Sequence, residues 1–117
     1  MPGGIAMTGI NYIRCKVKGH GEVFTDFDKK GMHFSIIEMS AEGVRILSSY
    51  EFEVNTNVRM KIHLPALLFQ VNIRVVSRIV SKTKVDNSFE YDMAFIGLPE
   101  KDMQEIDELM KSACPQY

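Results

Sequence analysis

Residues 36–46 read Ile36-Ile37-Glu38-Met39-Ser40-Ala41-Glu42-Gly43-Val44-Arg45-Ile46. Two apolar, β-prone runs flank a four-residue turn that ends in glycine, which is the pattern of a hairpin-like unit. The same grammar continues on both sides. Downstream, Asn55-Thr56-Asn57 is a turn, and Val58, Met60, Ile62 and Leu64 then alternate with Arg59, Lys61 and His63. This is the clearest period-two signal in the chain and predicts a strand with one buried face, ended by Pro65. Phe69, Val71, Ile73 and Val75 alternate with Gln70, Asn72 and Arg74, and the adjacent pair Val75-Val76 predicts a bulge or bend. The run continues through Ile79-Val80. After the turn Asp86-Asn87-Ser88, the residues Phe89, Tyr91, Met93 and Phe95 form a last strand.

Upstream, Tyr12 to Val17 alternates, with Ile13, Cys15 and Val17 on one side and Arg14 and Lys16 on the other. It reads as a strand that Gly19-His20-Gly21 interrupts. Glu22 to Thr25 continues it, and 26–31 is a turn. After Gly97 the period changes. Pro99 opens a helix at its first position, Glu100 and Asp102 complement its N-terminus, and Met103, Ile106 and Met110 follow at spacings of three and four. The predicted helix covers 99–112. Five or six strands and one terminal helix predict a small closed or nearly closed β-barrel with the helix packed on it. Residues 1–11 are glycine-rich and aperiodic, and are expected to be a mobile tail ahead of one domain at 12–113.

Composition narrows the function. The chain has 117 residues, 45% apolar and 25% charged, with 14 Lys+Arg against 15 Asp+Glu. One globular domain fits, and a disordered, collagen-like or disulfide-scaffold protein does not. A net charge of −1 argues against a general coat for nucleic acid. The longest apolar run, Ala66-Leu67-Leu68-Phe69, is too short to span a bilayer, and the N-terminus lacks the basic and apolar regions of a signal peptide. A cytoplasmic protein is expected. Free thiols at Cys15 and Cys114 are then the simplest reading, a disulfide tying the first strand to the tail the other. Charge is unevenly spread: Arg59, Lys61, Arg74, Arg78, Lys82 and Lys84 fall in a stretch without an acid, whereas the tail from Pro99 carries five acids. The first should attract anions, if it is more than a solvated strand face.

Chemistry-bearing patterns are few. The histidines at 20, 33 and 63 have no zinc-pair spacing. Asp26-x-Asp28 imitates a calcium loop, but Lys30 and Ile37 stand where carboxylates are needed. Cys15 lies in the apolar phase of its strand, as a structural thiol does. Ser40 lacks the flanks of a nucleophile elbow. No metal site and no enzyme are expected.

One constellation remains: Glu38, Ser40 and Gly43 at offsets of zero, two and five, with Arg14 and Lys18 four residues apart upstream. In these residues, and in the order of strands leading through Tyr91-Asp92-Met93-Ala94-Phe95-Ile96-Gly97-Leu98 into a final helix, the chain resembles the PilZ domain family. These are bacterial receptor modules for cyclic di-GMP, marked by R-x-x-x-R and, further on, (D/N)-x-S-x-x-G. The resemblance implies an all-β fold, a small six-stranded antiparallel barrel with a C-terminal helix. It also implies a cyclic di-GMP site with Arg14 and Lys18 on phosphate or guanine, Glu38 and Ser40 on a guanine edge, and Gly43 shaping the turn. Arg78 is a candidate replacement cation from the basic stripe. Guanidinium groups suit such a ligand because they fork onto phosphate or guanine O6/N7 and stack on bases. The sequence departs from the family pattern in two places. Lys18 lacks the fork if Arg14 is the first arginine; if Arg14 is the second, Ile10 holds the first position. Glu38 is one methylene longer than the usual residue. The resemblance implies a receptor or adaptor that acts on a protein partner of pilus, flagellar-motor or exopolysaccharide machinery. The alternative is a degenerate adaptor that binds no cyclic di-GMP and works through protein contacts alone. A small-barrel binder of nucleic acid would need exposed aromatics between its cations, which this stripe lacks.

Overall fold

The computed structural model describes residues 12–25, 30–65 and 70–114. Six strands follow in chain order: β1 (His20–Phe24), β2 (Met32–Met39), β3 (Gly43–Ser48), β4 (Asn57–Pro65), β5 (Gln70–Val85) and β6 (Ser88–Ile96). One helix, α1 (Glu100–Ala113), ends the described chain. The strands close into an antiparallel barrel in the order β1-β2-β3-β6-β5-β4, with β4 pairing back onto β1. The all-β, six-stranded barrel with a C-terminal helix is the expected architecture. Period-two alternation explains it, since Val58, Met60, Ile62 and Leu64 of β4 point inward and are buried. Phe34, Met39, Val44, Ile46, Tyr91 and Met93 fill the same core from the facing strands. Tyr91 is fully buried and keeps its hydroxyl satisfied: it accepts from Phe52 N–H at 2.7 Å and donates to the Tyr50 carbonyl at 2.9 Å.

Several local readings are corrected. Tyr12–Val17 is not a regular strand. Among the described residues it makes one bridge, Cys15 to Met39, although its exposure alternates as expected. The first regular strand instead begins at His20, across the glycines that looked like a break. A Cβ at Gly21 would overlap the Lys61 carbonyl, so this glycine lets β1 and β4 approach closely rather than ending a strand. At Val75-Val76 there is no bulge. Val75 points in, Val76 out and Ser77 in, and the register of β5 shifts between Ile79 and Ser81. A second shift, between Ile36 and Glu38 of β2, was not foreseen. Pro99 caps α1 instead of occupying its first turn, with φ −60° and ψ 150°. The predicted tail 1–11, most of the 26–31 turn and the apolar run 66–69 lie outside the described residues.

The free-thiol reading is overturned. Cys15 and Cys114 are joined in a disulfide across 99 residues of sequence, with Cα atoms 6.2 Å apart. The reason is tertiary: α1 buries Ile106 and Met110, and Asp107 Oδ1 accepts from Ile13 N–H at 2.9 Å. The helix thus lies along the first described segment, and its C-cap residue Cys114 arrives beside Cys15. Burying those two side chains stabilises this docking by about 1.5–3 kcal/mol each.

Candidate functional site

The turn between β2 and β3 is built by its own polar groups. Ser40 N–H donates to the Gly43 carbonyl at 2.9 Å, and Glu42 N–H donates to Ser40 Oγ at 3.1 Å. Ser40 is buried. Gly43 lies against β6, where a Cβ would overlap the Met93 carbonyl. The serine and glycine of the motif therefore hold the turn and the close packing of β3 on β6.

Beside this turn, one row of outward side chains crosses four strands. Glu38 of β2 pairs in register with Arg45 of β3, Arg45 with Asp92 of β6, and Asp92 with Ser81 of β5. Strict alternation would turn Glu38 inward with Ile36 and Ser81 inward with Ile79. The two register shifts reverse that and set both ends of the row on the outer wall. Arg45 forks onto Asp92, with Nε–H donating to Oδ1 at 2.8 Å and Nη2–H to Oδ2 at 3.3 Å. Ser81 donates to Asp92 Oδ2 at 3.1 Å. The hydrogen bond from Arg45 holds the Asp92 carboxyl below the usual carboxylate range, helped by Ser81 and opposed by partial burial. The same bond raises the Arg45 guanidinium above its ordinary value.

Arg14 reaches this row from the first segment, which the Cys15–Met39 backbone bridge fixes alongside β2. Its Nε–H donates to Glu38 Oε1 at 2.7 Å, and its Nη2 is 3.9 Å from Asp92. Arg45 also lies 4.0 Å from Glu38 and 3.9 Å from Glu90. Two guanidinium groups thus face three carboxylates in one lattice. In the neighbouring row Gly43 pairs with Ala94, and Ala94 with Arg78. This leaves a shelf of small residues with an exposed Arg78 at its end. Among the described residues Arg78 makes no ion pair.

Of the six expected site residues, Arg14, Glu38, Ser40 and Gly43 come together, and Arg78 stands one row away. Lys18 does not join them. It is exposed, makes no ion pair among the described residues, and precedes Gly19, whose carbonyl accepts from Ile36 N–H further along β2. Sequence reading missed Arg45, Asp92 and Ser81. Their outward phase in alternating strands was visible, but their adjacency depends on β3 pairing with β6 rather than with the next strand in sequence.

The histidines also meet unexpectedly. The His20 ring centroid lies 5.9 Å from that of His33 and 5.2 Å from that of His63 on the barrel exterior. No group of three or more His, Cys, Asp or Glu among the described residues is arranged to hold a metal ion. No helix among them is long and apolar enough to cross a membrane.

A closed six-stranded barrel with a terminal helix, a serine–glycine turn between β2 and β3, and an arginine paired with Glu38 beside that turn define a small all-β barrel domain. The PilZ domain family model matches residues 11–112, and the chain belongs to that family. No curated protein matches it. Among solved structures it is similar to the Bacillus subtilis inhibitor of motility MotI/DgrA, at 12% identity, 92% of this chain, 52% of that chain and a TM-score of 0.75. It is also similar to Escherichia coli YcgR in complex with c-di-GMP, at 9% identity, 88% of this chain, 45% of that one and a TM-score of 0.74. The PilZ domain of YcgR with c-di-GMP aligns at 9% identity over 88% of this chain and 90% of that chain, with a TM-score of 0.67. At these identities the likeness is one of fold, and the chain spans about half the length of MotI and of YcgR.

Proposed function

We propose that this chain is a PilZ signalling module that receives cyclic di-GMP on the outer wall of β2, β3 and β6 and passes its level to a protein partner. The observation that carries this reading is the pairing of Arg14 with Glu38 at 2.7 Å, on the outer wall beside the Ser40–Gly43 turn. The structures of YcgR with c-di-GMP support it by fold. In this reading Arg14 exchanges Glu38 for a phosphate or guanine of the ligand. The Gly43–Ala94 shelf backs a planar base, and Arg78 supplies a second fork. Glu38 accepts from guanine N–H groups, Ser40 and Gly43 keep the turn, and Lys18 adds attraction at longer range. The module acts as a receptor, without catalysis. Its partner belongs to pilus, motor or exopolysaccharide machinery.

The lattice also favours a second reading. Three carboxylates neutralise two guanidinium groups where an anionic dinucleotide would sit, as in an adaptor that works through protein contacts alone. Isothermal titration with cyclic di-GMP, and GTP as control, separates the two. A receptor gives saturable binding that Arg14→Ala and Arg78→Ala each weaken about tenfold or more, because each removes a charge-assisted pair. Glu38→Asn tightens it by releasing Arg14. Absence of heat, with no shift of melting temperature at high ligand, leaves the adaptor.

A further inference from the structure

The outer wall of β1, β4 and β5 carries a groove of about 580 Å³. Arg59, Lys61 and Arg74 line it, together with Phe24 and Val76. The register explains the cluster: Phe24, Arg59 and Val76 form one row, and Lys61 and Arg74 lie in the next. None of the three cations makes an ion pair among the described residues. Glu22, opposite Lys61 in register, has its carboxylate 3.5 Å from His63 Nε2. Next to the groove Val76 pairs in register with Ile96, and both are exposed, at 42% and 39%. Cations and an apolar strip therefore share one surface.

We infer that this groove docks an acidic polypeptide segment of a partner protein, with carboxylates on Arg59, Lys61 and Arg74 and one apolar side chain seated among Phe24, Val76 and Ile96. Two features favour a polypeptide over a phosphate-bearing small molecule. The β4 and β5 amides that face each other are committed to their ladder, so the floor offers no cradle of free N–H groups. The exposed valine–isoleucine pair needs an apolar group to cover it, which carboxylate-rich chains provide beside their charges. This inference shares with the proposed function only the existence of a protein partner and does not depend on the nucleotide. Val76 and Ile96 stand two residues from Arg78 and Ala94 on the same strands, so the groove adjoins the end of the proposed ligand site, and ligand and partner would occupy neighbouring surfaces.

The test uses the full chain and a fluorescein-labelled hexapeptide, Asp-Glu-Leu-Phe-Glu-Glu, followed by anisotropy. Saturable binding that weakens with salt is expected. The double variant R59E/R74E should lose at least tenfold in affinity, whereas Lys84→Glu, a charge change at the far end of β5, leaves it intact. Val76→Ser should weaken binding with every charge kept, which covers the case of a misfolded double variant. Retained cyclic di-GMP heat in R59E/R74E keeps this outcome apart from failure of the nucleotide site. The inference is overturned by lack of saturation in the millimolar range, or by equal binding in R59E/R74E. It is also overturned by equal binding of a peptide with Leu and Phe replaced by Ser, or by full competition from inorganic phosphate or oligothymidylate. Salt-sensitive self-association that R59E/R74E abolishes would make a second copy the occupant and overturn it as well.

Discussion

Gly43 tolerates only hydrogen as a side chain because the Met93 carbonyl occupies the space a Cβ would take. Gly43→Ala must push β3 from β6 at the point where the two are in register with Ala94, and it should cost about 1–3 kcal/mol as an overpacked site. Urea unfolding measures this directly, and an unchanged midpoint would show that the turn can shift freely. Ser77 presents the opposite case. It is fully buried in β5, and its hydroxyl has no hydrogen-bond partner among the described residues. An unmet buried hydroxyl is costly, so Ser77→Ala should raise stability by about 1 kcal/mol in the same assay. A loss instead would mean that the hydroxyl is satisfied in solution, for example by an ordered water.

Where strands meet, the outer lattice of β2, β3, β6 and β5 acts as one unit whose pH dependence follows from Asp92. Its carboxyl is held below its free value chiefly by the Arg45 hydrogen bond. The stabilisation is therefore fully present above the free carboxyl pKa of about 4 and fades as pH falls through the lower folded value. Arg45→Gln removes the main cause. The variant should be less stable than the wild type at pH 7, and the two urea midpoints should draw together as pH falls below the free carboxyl value of about 4. Midpoints that stay parallel through the whole acid range in which both proteins remain folded would remove Arg45 as the cause. Solvent screens this pair, so the effect is modest. The lattice also marks what sequence can and cannot reveal. Alternation in β4 and the three–four spacing of α1 are local, and both were legible. Gly21 was misread because its reason is the Lys61 carbonyl on a strand far along the chain. Glu38 and Ser81 face outward only because of register shifts, which depend on the partner strand. The motif itself was readable by resemblance, but the Arg45–Asp92 fork that occupies its wall required the non-sequential β3–β6 pairing.

Over the whole molecule, the barrel separates a carboxylate-rich wall from a basic one, and α1 ties the chain's two described ends together. Ile13 is bonded to Asp107, and Cys15 is joined to Cys114 across 99 residues. A cross-link that closes so long a loop restricts the unfolded chain strongly, and its loss should cost about 2–4 kcal/mol. The cost should fall on the docking of α1 and the Arg14 segment rather than on the barrel, because the six strands close on one another without the link. Thermal melts of the wild type with and without dithiothreitol check this, with Cys114→Ser as the reference. Reductant should lower the melting temperature of the wild type to that of Cys114→Ser and leave the variant unmoved. Amide exchange should speed up first in α1 and around Cys15, ahead of β3 to β6. A wild-type melt insensitive to reductant would show that the two thiols are unpaired in solution, and Ile106, Met110 and the Ile13–Asp107 bond would then hold the helix alone.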